Sequence, residues 1–173
     1  MSNYKSLLTQ ISTFIFDVDG VMTDGVVILS PDGDLLRTMH VKDGYALQYA
    51  IKKGYKIIII SGGRSEMVRK RFELLGVDQI NLGIVNKMKV FKEVMKSNDL
   101  APENILYMGD DIPDYEVMKE VGVACCPADA AQEIKDVSHY ISPVPGGKGC
   151  VRDVLEQVMK VQGKWFHEDG FNW

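Results

Sequence analysis

Asp17 and Asp19 close the apolar run Phe14-Ile15-Phe16 and are followed at once by Gly20. In a strand, residues i and i+2 point to the same face. The two carboxylates would sit together at the strand's carboxyl end, where they repel unless a cation or a shared proton relieves them. Taken alone, the pattern is equally a strand running into an Asp/Gly turn. Other polar residues converging on the same place would separate a reactive pair from a turn.

The elements that position these residues follow from the apolar pattern. Residues 5–11 read as a short amphipathic helix leading into a first strand over 13–18. Two β-rich runs, 26–29 and 35–39, flank the turn signal Ser30-Pro31-Asp32-Gly33-Asp34 and predict a hairpin directly after the acids. Asp43 is the expected N-cap of a helix that ends at Gly54. Residues 56–60 lack polar alternation, the mark of a strand buried on both faces of a parallel sheet. That strand ends in Ser61-Gly62-Gly63, before a helix over 64–75. A weaker strand over 77–82 and a helix over 86–98 precede a buried strand over 105–108, which ends in Gly109-Asp110-Asp111. Then come a helix over 113–120, a strand over 123–126, a short helix over 128–136, a last strand over 139–141 and a final helix over 150–162. Strands alternating with helices predict an α/β fold: a doubly wound, Rossmann-like parallel sheet with a hairpin flap. One domain over 1–173 is expected, with a C-terminal tail from 163.

Ligands of such sheets lie at the carboxyl ends of the strands. The polar residues that stand out fall there: Asp17, Asp19, Ser61, Asp110 and Asp111, with Asp114 one helical turn on and Lys87 opening a helix. So many acids at one sheet edge call for a hard cation, and oxygen ligands favour Mg²⁺. Ser61 with Gly62, before a helix N-terminus, suits phosphate oxygens, and Lys87 adds a fixed positive charge. Each residue has an ordinary explanation by itself. Ser61 could cap a helix, Lys87 could be a solvated lysine, Asp111 a cap and Asp114 helix surface. As an ordered set they describe phosphoryl transfer, with a carboxylate as nucleophile.

Composition agrees with an ordinary globular protein. The 173 residues are 46% hydrophobic and 25% charged with a net charge of −4, which gives no reason to expect a nucleic-acid surface. No apolar stretch has the length of a membrane span, and the N-terminus does not read as a secretory signal. Three cysteines, two of them adjacent, make no disulfide framework and fit reduced thiols in the cytoplasm.

The chain resembles the haloacid dehalogenase superfamily of phosphatases. Its four motifs appear in order as Asp17-Val18-Asp19-Gly20, Ser61, Lys87 and Gly109-Asp110-Asp111-Ile112-Pro113-Asp114. The segments Val41-Lys42-Asp43-Gly44-Tyr45, Asn86-Lys87, Ala101-Pro102-Glu103-Asn104 and Gly146-Gly147-Lys148-Gly149-Cys150-Val151-Arg152-Asp153 are similar to its capless members, the phosphatases of 3-deoxy-manno-octulosonate (KDO) 8-phosphate. That resemblance implies Asp17 as nucleophile and Asp19 as acid and base. It implies Mg²⁺ held by Asp17, the Asp19 carbonyl and Asp110, with Asp111 binding directly or through water. Ser61, Gly62 and Lys87 would hold the phosphoryl oxygens, with Thr23, Asp114, Arg64 and Arg71 as substrate contacts. Arg64 and Arg71, seven apart on a predicted helix and so on one face, either meet the sugar's carboxylate or, equally, are solvated helix charges.

No cap domain fits between the first motif and Ser61, or between Ser61 and Lys87. The family's solution is a homotetramer in which neighbours' hairpins and tails close each site, and the loop 143–149 and the aromatic tail suit that role. Gly63 stands where relatives acting on the nine-carbon KDN 9-phosphate carry an acid, which favours the eight-carbon substrate in lipopolysaccharide sugar biosynthesis. A receiver-type phospho-acceptor module is the alternative from another class. Its acid pair precedes an acceptor on a later strand, so the order here argues against it.

Overall fold

A computed structural model describes residues 4–31, 33–77 and 79–172. The predicted turn residue Asp32, Asp78 of the weak strand and Trp173 of the tail lie outside the described residues. Six parallel strands form the main sheet: β1 (Thr13–Phe16), β4 (Lys56–Ile60), β5 (Gln79–Asn81), β6 (Ile105–Met108), β7 (Val123–Cys126) and β8 (Tyr140–Ile141). Their order is β5-β4-β1-β6-β7-β8. The chain leaves β1 toward β4 on one side and later crosses to β6 on the other. The strand order therefore switches at β1, which places the crevice beyond its carboxyl end.

Alternation along the central strands builds two cores. Phe14, Phe16, Ile57, Ile59, Leu106 and Met108 face one side, packed with α2 (Val41–Lys52), α3 (Glu66–Leu74) and α7 (Cys150–Val161). Ile15, Ile58, Ile60, Ile105 and Tyr107 face the other, packed with α4 (Lys87–Asn98), α5 (Tyr115–Met118) and α6 (Gln132–Val137). This is the doubly wound sheet expected from the apolar runs, with no cap inserted.

Several boundaries differ from the expectation. The N-terminal helix is split into α1 (Tyr4–Leu7) and a 3₁₀ turn (Leu8–Gln10). The hairpin is present but short, β2 (Ile28–Leu29) against β3 (Leu35–Leu36), with Ile28 opposite Leu36. Its strand residues are exposed on both faces, so nothing extends the pairing. Asp43 does not cap α2, whose N-cap is His40. It sits in that helix's first turn, buried, and its Oδ1 accepts from the Arg152 amide at 2.7 Å, at the start of α7. The acid expected to open one helix thus caps another, and burial raises its pKa. Within the single chain the tail runs along α2. Trp165 packs edge-on against Tyr49, Tyr45 donates to the Gly170 carbonyl, and Lys53 pairs with Asp169 at 2.6 Å. The loop 143–149 also packs at home. A Cβ on Gly146 would fall 1.9 Å from the Gly20 carbonyl oxygen, so only glycine permits that approach to the first motif.

Candidate active site

Asp17 follows β1 directly, its amide donating to the Met108 carbonyl at 3.0 Å, so the ladder with β6 carries it to the sheet edge. Its carboxylate is buried. Oδ2 lies 2.9 Å from Lys87 Nζ, while Oδ1 is buried with no partner. Lys87 is the first residue of α4, started by Asn86, whose side chain accepts from the Lys89 amide at 2.8 Å. A lysine at a helix N-terminus opposes the helix dipole. Here two carboxylates compensate, because Nζ also lies 2.7 Å from Asp114 Oδ1. Burial lowers the Lys87 pKa, but Asp17 and Asp114 outweigh it and the net direction is upward.

Asp110 and Asp114 come from the turn after β6. Gly109 lets that turn fold tightly: a Cβ there would meet Asp114 Cγ at 2.4 Å. Asp114 is buried, accepts from Tyr107 Oη at 2.5 Å and takes the Asp110 amide at 3.3 Å on Oδ2. Oxygens of Asp17, Asp110 and Asp114 all lie within 4.8 Å of one another. Without a further cation this cluster is short of positive charge. Burial, then Asp114, push Asp17 up to about 6 against the opposing Lys87. Burial, then Asp17 and Asp114, push Asp110 to about 8. An orphaned, buried carboxylate oxygen among hard oxygen donors fits Mg²⁺.

The expected residues do not all meet. Asp17, Asp19, Ser61, Gly62, Lys87, Asp110, Asp111 and Asp114 line one cleft of about 390 Å³. Ser61 is buried at the end of β4, where its amide donates to Asn81 O at 2.9 Å and its Oγ accepts from the Gly63 amide at 3.3 Å. Asp111 is exposed and its Oδ1 takes the Ile112 amide at 2.8 Å, as the cap reading had it. Three expected substrate contacts are placed otherwise. Thr23 is fully buried and its Oγ1 accepts from the Gly20 and Gly25 amides, both at 3.3 Å, so it shapes the loop. Asp114 is committed to Lys87 and Tyr107. Arg64 precedes the α3 N-cap Ser65 and lies over Gly83, so it shares no helix face with Arg71.

One residue escaped the sequence reading. Arg37 reaches from just beyond the hairpin to Asp19, with Nε 2.5 Å from Oδ1 and Nη2 3.1 Å from Oδ2. Such forked pairs are the strongest Arg–carboxylate geometry. The available signal was that Arg37 is the one cation between Gly20 and Met39. Nothing in the spacing says that it folds back onto the acid pair.

A switch-point crevice with a buried carboxylate, a lysine across from it and a serine beside glycines suits the chemistry of phosphoryl transfer. Residues 79–151 match the haloacid dehalogenase-like hydrolase family. The 3-deoxy-D-manno-octulosonate 8-phosphate phosphatase of Escherichia coli K12 is 34% identical over 154 residues, 89% of this chain and 82% of that one. The Yersinia pestis phosphatase of that name has a crystal structure that superposes with a TM-score of 0.91, at 31% identity over 94% of this chain and 88% of that one. A second structure, from Moraxella catarrhalis and in complex with magnesium, phosphate and KDO, gives 0.92 at 31% identity, covering 99% and 97%. The chain belongs to the haloacid dehalogenase-like hydrolases.

Proposed function

We propose that this chain is a Mg²⁺-dependent phosphatase that hydrolyses KDO 8-phosphate to KDO and phosphate, a step in making the sugar acid of lipopolysaccharide. The observation that carries it is Asp17, a buried carboxylate with one orphaned oxygen, in the wall of a cleft shared with Lys87, Ser61 and Asp110. The names of its relatives supply the sugar acid. Gly63 supports the eight-carbon substrate. A Cβ there would lie 2.7 Å from Asp19 Oδ2 and 3.2 Å from Arg37 Nη2, so the acid associated with the nine-carbon compound would have to displace the Asp19–Arg37 pair.

Asp17 attacks phosphorus, the ester P–O bond breaks, and an aspartyl-phosphate forms. Asp19 gives a proton to the leaving sugar oxygen and then takes one from the water that attacks the intermediate. Phosphate leaves and Asp17 is regenerated. Lys87 and Ser61 hold phosphoryl oxygens, with the Gly62 amide beside them. Asp17, the Asp19 carbonyl and Asp110 would hold Mg²⁺, with Asp111 at the rim. Asp114 is part of the carboxylate cluster, but both its oxygens already accept hydrogen bonds, so its part is to hold Lys87. When bound, the ion offsets charge on the phosphoryl oxygens.

The proposal includes a homotetramer. Val26, Ile28 and Leu29 on the hairpin are more than half exposed, an apolar surface that another chain could cover. It also includes a cytoplasmic setting, supported by three buried free cysteines. No helix among the described residues is long and apolar enough to cross a membrane. Phosphate release from KDO 8-phosphate with Mg²⁺ tests the activity. No turnover, or turnover unaffected by Asp17→Asn, would sink it.

A further inference from the structure

Asp19 is not free to serve a leaving group as it stands. The Arg37 fork engages both its oxygens, a charge-assisted pair that holds the carboxylate in one orientation. The Arg37 side chain is only 5% exposed, although it follows a hairpin whose strand residues are all exposed. Its own Nη1 donates to the Leu35 carbonyl at 2.6 Å, which stiffens the reach.

Arg37 also borders a second hollow of about 380 Å³, walled by Leu36, Met39, Met67 and Arg71 among others. No carboxylate lines that hollow, and Arg71 has no acidic partner among the described residues. A void too tight for water, walled by Asp19, Arg37, Ser61 and Gly63, adjoins both it and the phosphate cleft. Two arginines, one of them paired with Asp19, therefore line a hollow without carboxylates next to a site that takes a phosphate.

We propose that Arg37 is a positioning residue with two alternative carboxylate partners: Asp19 in the empty enzyme, and the carboxylate of the sugar-acid substrate once that end enters the hollow. The exchange releases Asp19 to face the leaving oxygen. This rests on the phosphatase reading above, in which phosphate and carboxylate stand at opposite ends of the substrate. No bond is made or broken in the exchange, since one carboxylate replaces another on the same guanidinium. A sugar phosphate without a carboxylate leaves Asp19 tied, so selectivity enters through kcat as well as KM.

The test uses the full chain with Mg²⁺ as wild type, Arg37→Met and Arg37→Lys. Each is measured on KDO 8-phosphate and on mannose 6-phosphate, and for calorimetric binding of KDO. Arg37→Met is expected to weaken KDO binding roughly tenfold or more. It should cut kcat/KM for the sugar acid by about 100-fold, yet raise kcat on mannose 6-phosphate. Arg37→Lys, which loses the fork but keeps the charge, falls between on each measure and decides the matter if the methionine variant does not fold. Equal losses on both substrates, or unchanged KDO binding, would make Arg37 a mere fastener of the hairpin and overturn the proposal. A wild type inert on KDO 8-phosphate would instead remove the assignment of that substrate. The Asp19 lock would then still be read in mannose 6-phosphate turnover, where a slower Arg37→Met enzyme refutes it.

Discussion

Gly20 lies directly beneath the Asp110 carboxylate: a Cβ built on Gly20 would fall 1.9 Å from Asp110 Oδ2. The same residue has φ +82°, a conformation that side chains other than glycine's adopt at a cost. Two strands' ends are thus brought together through an absent methyl group. Gly20→Ala is expected to displace Asp110 and so weaken Mg²⁺ more than it weakens the fold. The strain is about 1–2 kcal/mol, whereas the Mg²⁺ concentration for half-maximal activity should rise by roughly tenfold or more. A magnesium titration of phosphate release, read beside a thermal melt, checks both.

Lys87 is the bridge between Asp17 and Asp114, at 2.9 and 2.7 Å, and all three side chains are under a tenth exposed. Lys87→Met leaves two buried carboxylates without their cation. Removing one partner of a buried charge set costs about 3–5 kcal/mol, and losing a charge aimed at the phosphoryl group costs about 10²–10³ in kcat. The missing positive charge lets Asp17 and Asp110 take up protons, so the melting deficit should shrink toward low pH. Denaturant curves of both proteins at pH 5 and pH 8 measure it.

The apolar runs revealed the sheet because strands buried on both faces leave no polar alternation, and the two cores confirm that pattern residue by residue. The acids and Lys87 were legible because strand ends and a helix start placed them. What the sequence did not show were partners made by tertiary approach. Asp43 sits 109 residues from the helix it caps and Arg37 is 18 residues from Asp19, and no local period encodes either contact. Arg64 looked like a partner of Arg71 only while the helix was taken to start two residues early. Thr23 looked available until its hydroxyl was spent on backbone amides.

The metal-free protein should lose stability as pH rises. Asp17 is raised to about 6 and Asp110 to about 8, chiefly by burial, from 3.8. A raised carboxylate binds its proton more tightly folded than unfolded. Its contribution is therefore fully present below pH 4 and is lost as pH passes through the folded values, with a slope of at most about 1.4 kcal/mol per pH unit per group. The two titrate as a coupled pair, so the loss spreads over roughly pH 4–8. Melts in EDTA should fall across that window, and saturating Mg²⁺ should flatten the curve. A flat curve in EDTA would show that the cluster is not held close in the metal-free protein.

Asp43 accepts the Arg152 amide at 2.7 Å and so fastens α7 to the first turn of α2. At that joint the Arg152 guanidinium lies 5.2 Å over the Trp165 ring. Asp43→Ala removes a buried cap, worth about 1–2 kcal/mol, and should lower Tm by about 2–8 °C for a chain of this length. Asp43 lines none of the phosphate cleft, so the loss should appear in the melt and in α7 amide exchange before it appears in kcat. Asp43→Asn keeps an oxygen for the same amide and should restore most of the stability. If the asparagine variant melts as low as the alanine one, the hydrogen bond is not what Asp43 contributes. The charge facing His40 would then have to carry the effect.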